Sequence, residues 1–115
     1  MKIIEVKTQE EFDSLPDSFE ERTEIRILKG ESVKVKGGKK NGRVDAYDGS
    51  DVKAFDGSYV EAFNGSHVVA HVGSFVFARK GSSVQVHVGS SVCALEGSTV
   101  TAFEGSDVKY LNPVI

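Results

Sequence analysis

Apolar and polar residues alternate along most of this chain, and the alternation is interrupted by Gly-Ser at a fixed interval. Gly-Ser recurs every eight residues, from Gly49-Ser50 to Gly105-Ser106. Two residues after each Ser stands Val, from Val52 through Val60, Val68, Val76, Val84, Val92 and Val100 to Val108. Two further on stands Ala, at Ala54, Ala62, Ala70, Ala78, Ala94 and Ala102, with Val86 and Tyr110 as the exceptions. The unit is Gly-Ser-x-Val-x-Ala-x-x. A period of two puts Ser, Val and Ala on one face of a short strand and the x residues on the other. The buried side chains are small, so the buried layer is thin. Glycine at each corner permits positive φ and a sharp turn.

Strands this short are unstable alone. Stacking them about 4.8 Å apart extends one ladder and sets each Val on the next. The pattern therefore predicts a β-solenoid. Inward Ser hydroxyls near the corners are placed to bond backbone groups that the turns leave unpaired. His71-Val72-Gly73-Ser74 and His87-Val88-Gly89-Ser90 repeat at an interval of sixteen, which favours two octads per coil over three. The register reaches back before the Gly-Ser signature. Ile25 and Ile27, Val33 and Val35, and Val44 and Ala46 take the Val and Ala places, with Gly38-Lys39-Lys40 as a protruding insertion. Eleven octads over residues 22–112 make five to six coils, a stack roughly 25 Å long.

An open solenoid end is a bare sheet edge, so caps are expected. Residues 1–21 read as a small α/β cap. Ile3, Ile4 and Val6 form a strand; Thr8 and Glu11 form a capping box; Phe12, Leu15 and Phe19 lie over the first coil from a helical segment. Pro16 begins a new turn. At the other end Tyr110 covers the core and Asn112-Pro113 stops pairing, leaving 113–115 as a tail. That cap is thin, so an end-to-end homodimer through Tyr110 and Leu111 is an alternative.

Composition narrows the function without naming it. The chain has 115 residues, 39% hydrophobic and 27% charged, with a net charge of −3. That suits one globular domain and disfavours unaided nucleic-acid binding, which needs a basic surface. No apolar run approaches membrane-spanning length. The start lacks a signal-peptide pattern, and the single Cys93 has no partner for a disulfide, so a cytoplasmic location is expected.

With sixteen residues per coil, outward residues stack in columns. One column is Phe55, His71, His87 and Phe103; another is Tyr47, Phe63, Arg79, Leu95 and Leu111. Ring stacking that supports the solenoid explains them in part. The sharper expectation is a protein-contact surface of Tyr59, Phe63, Phe75, Phe77 and Arg79, since aromatic patches rimmed by charge mark interaction sites. Asp45, Asp48, Asp51, Asp56 and Glu61 are a second candidate, an acidic contact that imitates nucleic-acid phosphates; Glu96, Glu104 and Asp107 gather at the other end. The bland reading of these acids is a solvated face. His67, His71 and His87 share a sheet, but nothing completes a metal set, and no metal or cofactor is expected. Ser is explained by its inward place, and Cys93 has no base beside it, so an enzyme is not expected.

The octad is similar to that of bacterial ice-nucleation proteins over residues 41–111. Their outward Thr-x-Thr rows are replaced here by Tyr59/Glu61, His67/Val69, Phe75/Phe77, Ser83/Gln85 and Ser91/Cys93. Only Thr99-Val100-Thr101 fits, so ice binding is not implied. The Gly-Ser-x-Val-x-Ala run behind a small N-terminal cap also resembles short bacterial and phage octapeptide-repeat proteins. That resemblance implies a rigid, non-enzymatic phage or prophage inhibitor of a host defence complex, of the anti-CRISPR kind. A self-assembling β-helical element, as homodimer or polymer, is the alternative.

Overall fold

A computed structural model describes residues 2–111. The expected stop at Asn112-Pro113 and the tail lie outside the described residues. Twelve strands and one short helix follow in order: β1 (Lys2–Val6), α1 (Gln9–Asp13), β2 (Ser18–Ile27), β3 (Val33–Lys36), β4 (Lys40–Ala46), β5 (Asp51–Phe55), β6 (Tyr59–Ala62), β7 (His67–Ala70), β8 (Phe75–Ala78), β9 (Ser83–Val86), β10 (Ser91–Leu95), β11 (Thr99–Ala102) and β12 (Asp107–Leu111).

The chain winds as a β-solenoid of about six turns with about 16 residues per turn. All ladders between named strands are parallel. Seven strands make one sheet, β1-β2-β4-β6-β8-β10-β12, and five make the other, β3-β5-β7-β9-β11. Val60 pairs with Val76 and Val76 with Val92 in the first; Val52 pairs with Val68 and Val68 with Val84 in the second. Each of these rungs is sixteen residues from the next, which settles two octads per coil. Between the sheets lies one core, from Val6, Ile25 and Ile27 through the Val and Ala columns to Val92 and Ala94.

Most corners behave as the octad demands, but the buried hydroxyls of Ser50 and Ser58 have no hydrogen-bond partner among the described residues. In the turn Phe63–Ser66 the Ser66 amide and hydroxyl both donate to the Phe63 carbonyl, at 3.0 and 2.6 Å. The same hydroxyl bond recurs at Ser74, Ser82, Ser90, Ser98 and Ser106. Glycine is required here for two reasons at once. Gly81 sits at φ +82°, and a Cβ added to it would lie 1.8 Å from Oδ1 of Asn64 in the turn stacked beside it.

The N-terminal end departs from the expected layout in three places. First, β1 is more than a cap: it pairs in register with β2, Ile4 on Ile25 and Val6 on Ile27, and so extends the seven-stranded ladder by one rung. Second, the helix stops at Asp13, before Pro16, so it carries Phe12 but not Phe19. Phe19 is buried from the start of β2 instead, and the strand runs through the expected boundary at residue 21. Third, the segment at 38–40 does not simply protrude. The Lys40 amide donates to the Asp17 carbonyl at 2.9 Å, Lys40 pairs with Ser18, and β2 bulges between Ser18 and Thr23 to absorb the register difference. The capping box is present as read, with Glu11 N donating to Thr8 Oγ1 at 3.1 Å and Thr8 N to Glu11 Oε1 at 3.1 Å.

α1 closes the five-stranded sheet. The Gln9 side-chain amide takes the place of a neighbouring strand: its Nε2 donates to the Lys34 carbonyl at 3.0 Å, and its Oε1 accepts from the Lys34 amide at 2.6 Å. The C-terminal end has no such cover among the described residues. Tyr110 was expected over the core, but it is 64% exposed. Ala102 is exposed, and Val100 and Val108 are only half-buried. Tyr110 continues the Val/Ala column beyond the last fully buried rung, so no described strand lies beyond it for the ring to pack upon.

Candidate functional site

The outward face of the seven-stranded sheet holds the densest side-chain chemistry in the molecule. Strands β2, β4, β6 and β8 present three outward columns to it. Across the strands these read Glu24, Arg26 and Leu28; Arg43, Asp45 and Tyr47; Tyr59, Glu61 and Phe63; Phe75, Phe77 and Arg79. Register sets Glu24 beside Arg43, Arg26 beside Asp45, Asp45 beside Glu61, Glu61 beside Phe77, and Tyr59 beside Phe75.

Arg43 is the hub. Its Nε and Nη2 each donate to Asp45 at 2.9 Å in a bidentate pair; Nε also lies 3.0 Å from Glu61 Oε2, and Nη2 lies 3.7 Å from Glu24 Oε1. Arg26 donates to both Glu24 oxygens at 3.2 and 3.4 Å, and the Tyr47 hydroxyl donates to Glu24 Oε1 at 2.8 Å. Arg79 Nη2 reaches Glu61 Oε1 at 3.3 Å. Three carboxylates thus lie under three guanidiniums. Two of the guanidiniums lie over rings, Arg26 at 5.1 Å from Tyr47, and Arg79 at 5.1 Å from Phe63 and 5.2 Å from Phe77. Tyr47 stacks on Phe63 at 4.9 Å, and Tyr59 on Phe75 at 5.4 Å. Apart from Leu28, each of these side chains is held by an ion pair, hydrogen bond or ring contact, so the face is pre-organised.

This packing buries outward carboxylates. Asp45 has no exposed surface and Glu24 is 4% exposed. Burial raises the Asp45 carboxyl to about 7, and Glu24 beside it adds to the rise while Arg43 opposes it. Glu24 is lowered to about 2, first by its hydrogen bond with Asp45 and then by Arg26 and Tyr47. The two carboxyls are coupled and titrate as one unit.

Of the expected protein-contact residues, Tyr59, Phe63, Phe75, Phe77 and Arg79 come together on this one face. Tyr59 and Phe75 are exposed, and Phe63, Phe77 and Arg79 half-buried. The expected acidic contact divides. Asp45 and Glu61 sit beneath arginines within the same face; Asp48 and Asp56 are exposed at turns, and Asp51 is half-buried on the five-stranded sheet. The acids do not form one surface, because neighbouring octads face opposite sides. Arg26, Arg43, Glu24 and Tyr47 were missed as a cluster. Column arithmetic finds them once three residues are added for the insertion, since Glu24 lies beside Arg43 rather than beside Lys40. Two buried polar atoms on the face, Glu61 Oε2 and Arg79 Nε, have no hydrogen-bond partner among the described residues.

The opposite face is plainer. Phe55, His71, His87 and Phe103 stack at 4.4, 5.1 and 4.6 Å. Burial, the His87 ring and Lys53 lower the His71 pKa. Val72 and Val88 are exposed at the adjoining turns. No group of three or more His, Cys, Asp or Glu among the described residues is placed to hold a metal ion. No helix among them is long and apolar enough to cross a membrane.

No family model matches this chain, and neither a curated protein nor a solved structure matches it.

Proposed function

We propose that the protein is a rigid, non-enzymatic binding module whose contact surface is the outward face of β4, β6 and β8. The observation that carries this reading is the pair of exposed stacked rings, Tyr59 on Phe75, held in a field of fixed guanidiniums. A binding surface built from rings and arginines loses little side-chain entropy on contact when those groups are already immobilised. Its partner presents apolar side chains to Tyr59 and Phe75. It presents carboxylates or carbonyls to Arg43 and Arg79, whose side chains remain 44% and 42% exposed.

A phosphate-imitating version of the proposal is weaker, because Asp45 and Glu61 lie beneath Arg43 and Arg79 and have little solvent surface. A non-enzymatic role is supported by the serines: the inward hydroxyls from Ser66 to Ser106 are engaged by turn carbonyls. The biological setting, a phage-encoded inhibitor of a host complex, rests on the repeat's resemblance alone.

The test is retention of partners from bacterial lysate by the immobilised protein, compared with a Phe75→Asp, Phe77→Asp variant of matched circular dichroism. The proposal expects a partner retained by the native chain and lost by the variant. Retention of the same partners by the variant removes this face as the site.

A further inference from the structure

The last coil lies at the end of the solenoid away from β1 and β3. Among the described residues its two strands, β11 and β12, are each paired on one side only. The amides of Thr99 and Phe103 donate back to the Ser82 and Val86 carbonyls, and the Asp107 amide donates back to the Ser90 carbonyl. Alternate residues of a parallel strand face opposite neighbours. The backbone groups of Val100, Ala102, Val108 and Tyr110 therefore point away from the solenoid. These are also the inward side chains of the final coil, and they are half-buried or exposed. The end thus offers two open ladders above an unfinished core.

The two ladders are not level. β12 follows β11 by half a coil, a step of roughly 2.4 Å along the stack. A covering partner must carry the same step, inverted, and a second copy of this chain does so by construction. We infer that two copies join end to end through this coil, about a two-fold axis parallel to the strands. That axis sets β12 against β11 of the second copy, and β11 against its β12, at equal spacing and antiparallel. A two-fold perpendicular to the sheets would close one ladder and leave the other about 4.8 Å too far apart.

Position across the coil fixes the register. Val108 meets Ala102 of the second copy, and Tyr110 meets its Val100. Those four residues own the outward-pointing amides and carbonyls, so both pairs are hydrogen-bonded ones, giving about eight backbone bonds in all. On the outer faces Asp107 meets Phe103, Lys109 meets Thr101 and Leu111 meets Thr99, so no like charges oppose. Tyr110 supplies the large side chain that fills the seam. Head-to-tail stacking is disfavoured because the Gln9 amide already occupies the β3 edge that β11 would need. The joined surface totals roughly 800 Å², below the size of stable specific interfaces, so the dimer is a weak, concentration-dependent one.

Light scattering on the eluting chain, from about 1 to about 500 µM, reads this directly. The expected mass rises from 12.4 kDa to twice that value and no further. Ala102→Pro removes an outward amide without touching the ladder to β9, since edge positions accept proline; it should shift the dissociation constant upward at least tenfold. Tyr110→Asp, at an exposed position that leaves folding intact, should do the same, whereas Thr101→Ala should not. A mass of one chain at every concentration overturns the inference. So does growth beyond two copies, or a Tyr110→Asp variant that dimerises as the native chain does.

Discussion

Replacing Asp45 by Asn should make the chain's stability less dependent on pH, and the size of the effect follows from the burial of that carboxyl. An unfolded Asp releases its proton near pH 3.9, whereas folded Asp45 holds it to about 7. Between those values the folded chain binds more protons than the unfolded one, so stability falls as pH rises. The fall is complete once pH passes the folded value. From pH 5 to pH 8 this spans about two units, worth roughly 1.4 kcal/mol each. Glu24 stays ionised throughout, because its carboxyl is held at about 2. The Asn side chain has no proton to lose and keeps a hydrogen-bonding group against Arg43. Urea unfolding at pH 5, 6, 7 and 8 gives the test. The stability of the Asn variant relative to the native chain should rise by about 2–3 kcal/mol from pH 5 to pH 8. Taking the difference cancels the histidines, which titrate in both proteins. A difference that stays constant, or declines with pH, would refute the raised proton affinity of the buried Asp45 carboxyl.

Two further outcomes test the frame around the site. Gly81→Ala meets both a left-handed backbone and Asn64 Oδ1; it should cost about 1–3 kcal/mol in thermal unfolding, and adding Asn64→Gly should restore part but not all of that loss. His71 has a depressed pKa from burial and from His87, so the stability it contributes is present above the unfolded value and lost as pH falls below it. His71→Phe keeps a stacked ring and should show a smaller drop in Tm between pH 7 and pH 5 than the native chain; an equal drop would remove His71 as the cause.

The inward half of the molecule was almost fully legible in the sequence. Val and Ala at fixed places, Gly at the corners and Ser beside it dictate strand, turn and stack together, and the sixteen-residue spacing of His71 and His87 already placed them in one column. The ends were less legible. Capping depends on single side chains with no period, such as Gln9 mimicking a strand or Phe19 entering from β2. Tyr110 looked like a lid because it is large, but a lid needs a surface beyond it to pack on, and no strand among the described residues lies beyond it. The site was legible in part for the same reason. The aromatic residues lie in uninterrupted octads, where counting by sixteen works. Glu24, Arg26 and Arg43 lie across the insertion, where the count slips by three and the ion pairs disappear from view. The burial of Asp45 and Glu61 was invisible for another reason: outward positions are ordinarily solvated, and only the arginines and rings above them exclude water.

The most direct measurement of the binding proposal is site-specific photo-crosslinking, with benzoylphenylalanine placed at Phe75 in one protein and at Val69 in another. Both positions face outward and lie on successive strands, but on opposite sheets. In bacterial lysate the label at Phe75 should capture a protein partner that the label at Val69 does not. Capture from Val69 alone, or equally from both positions, would contradict the assignment of function to the aromatic and arginine face.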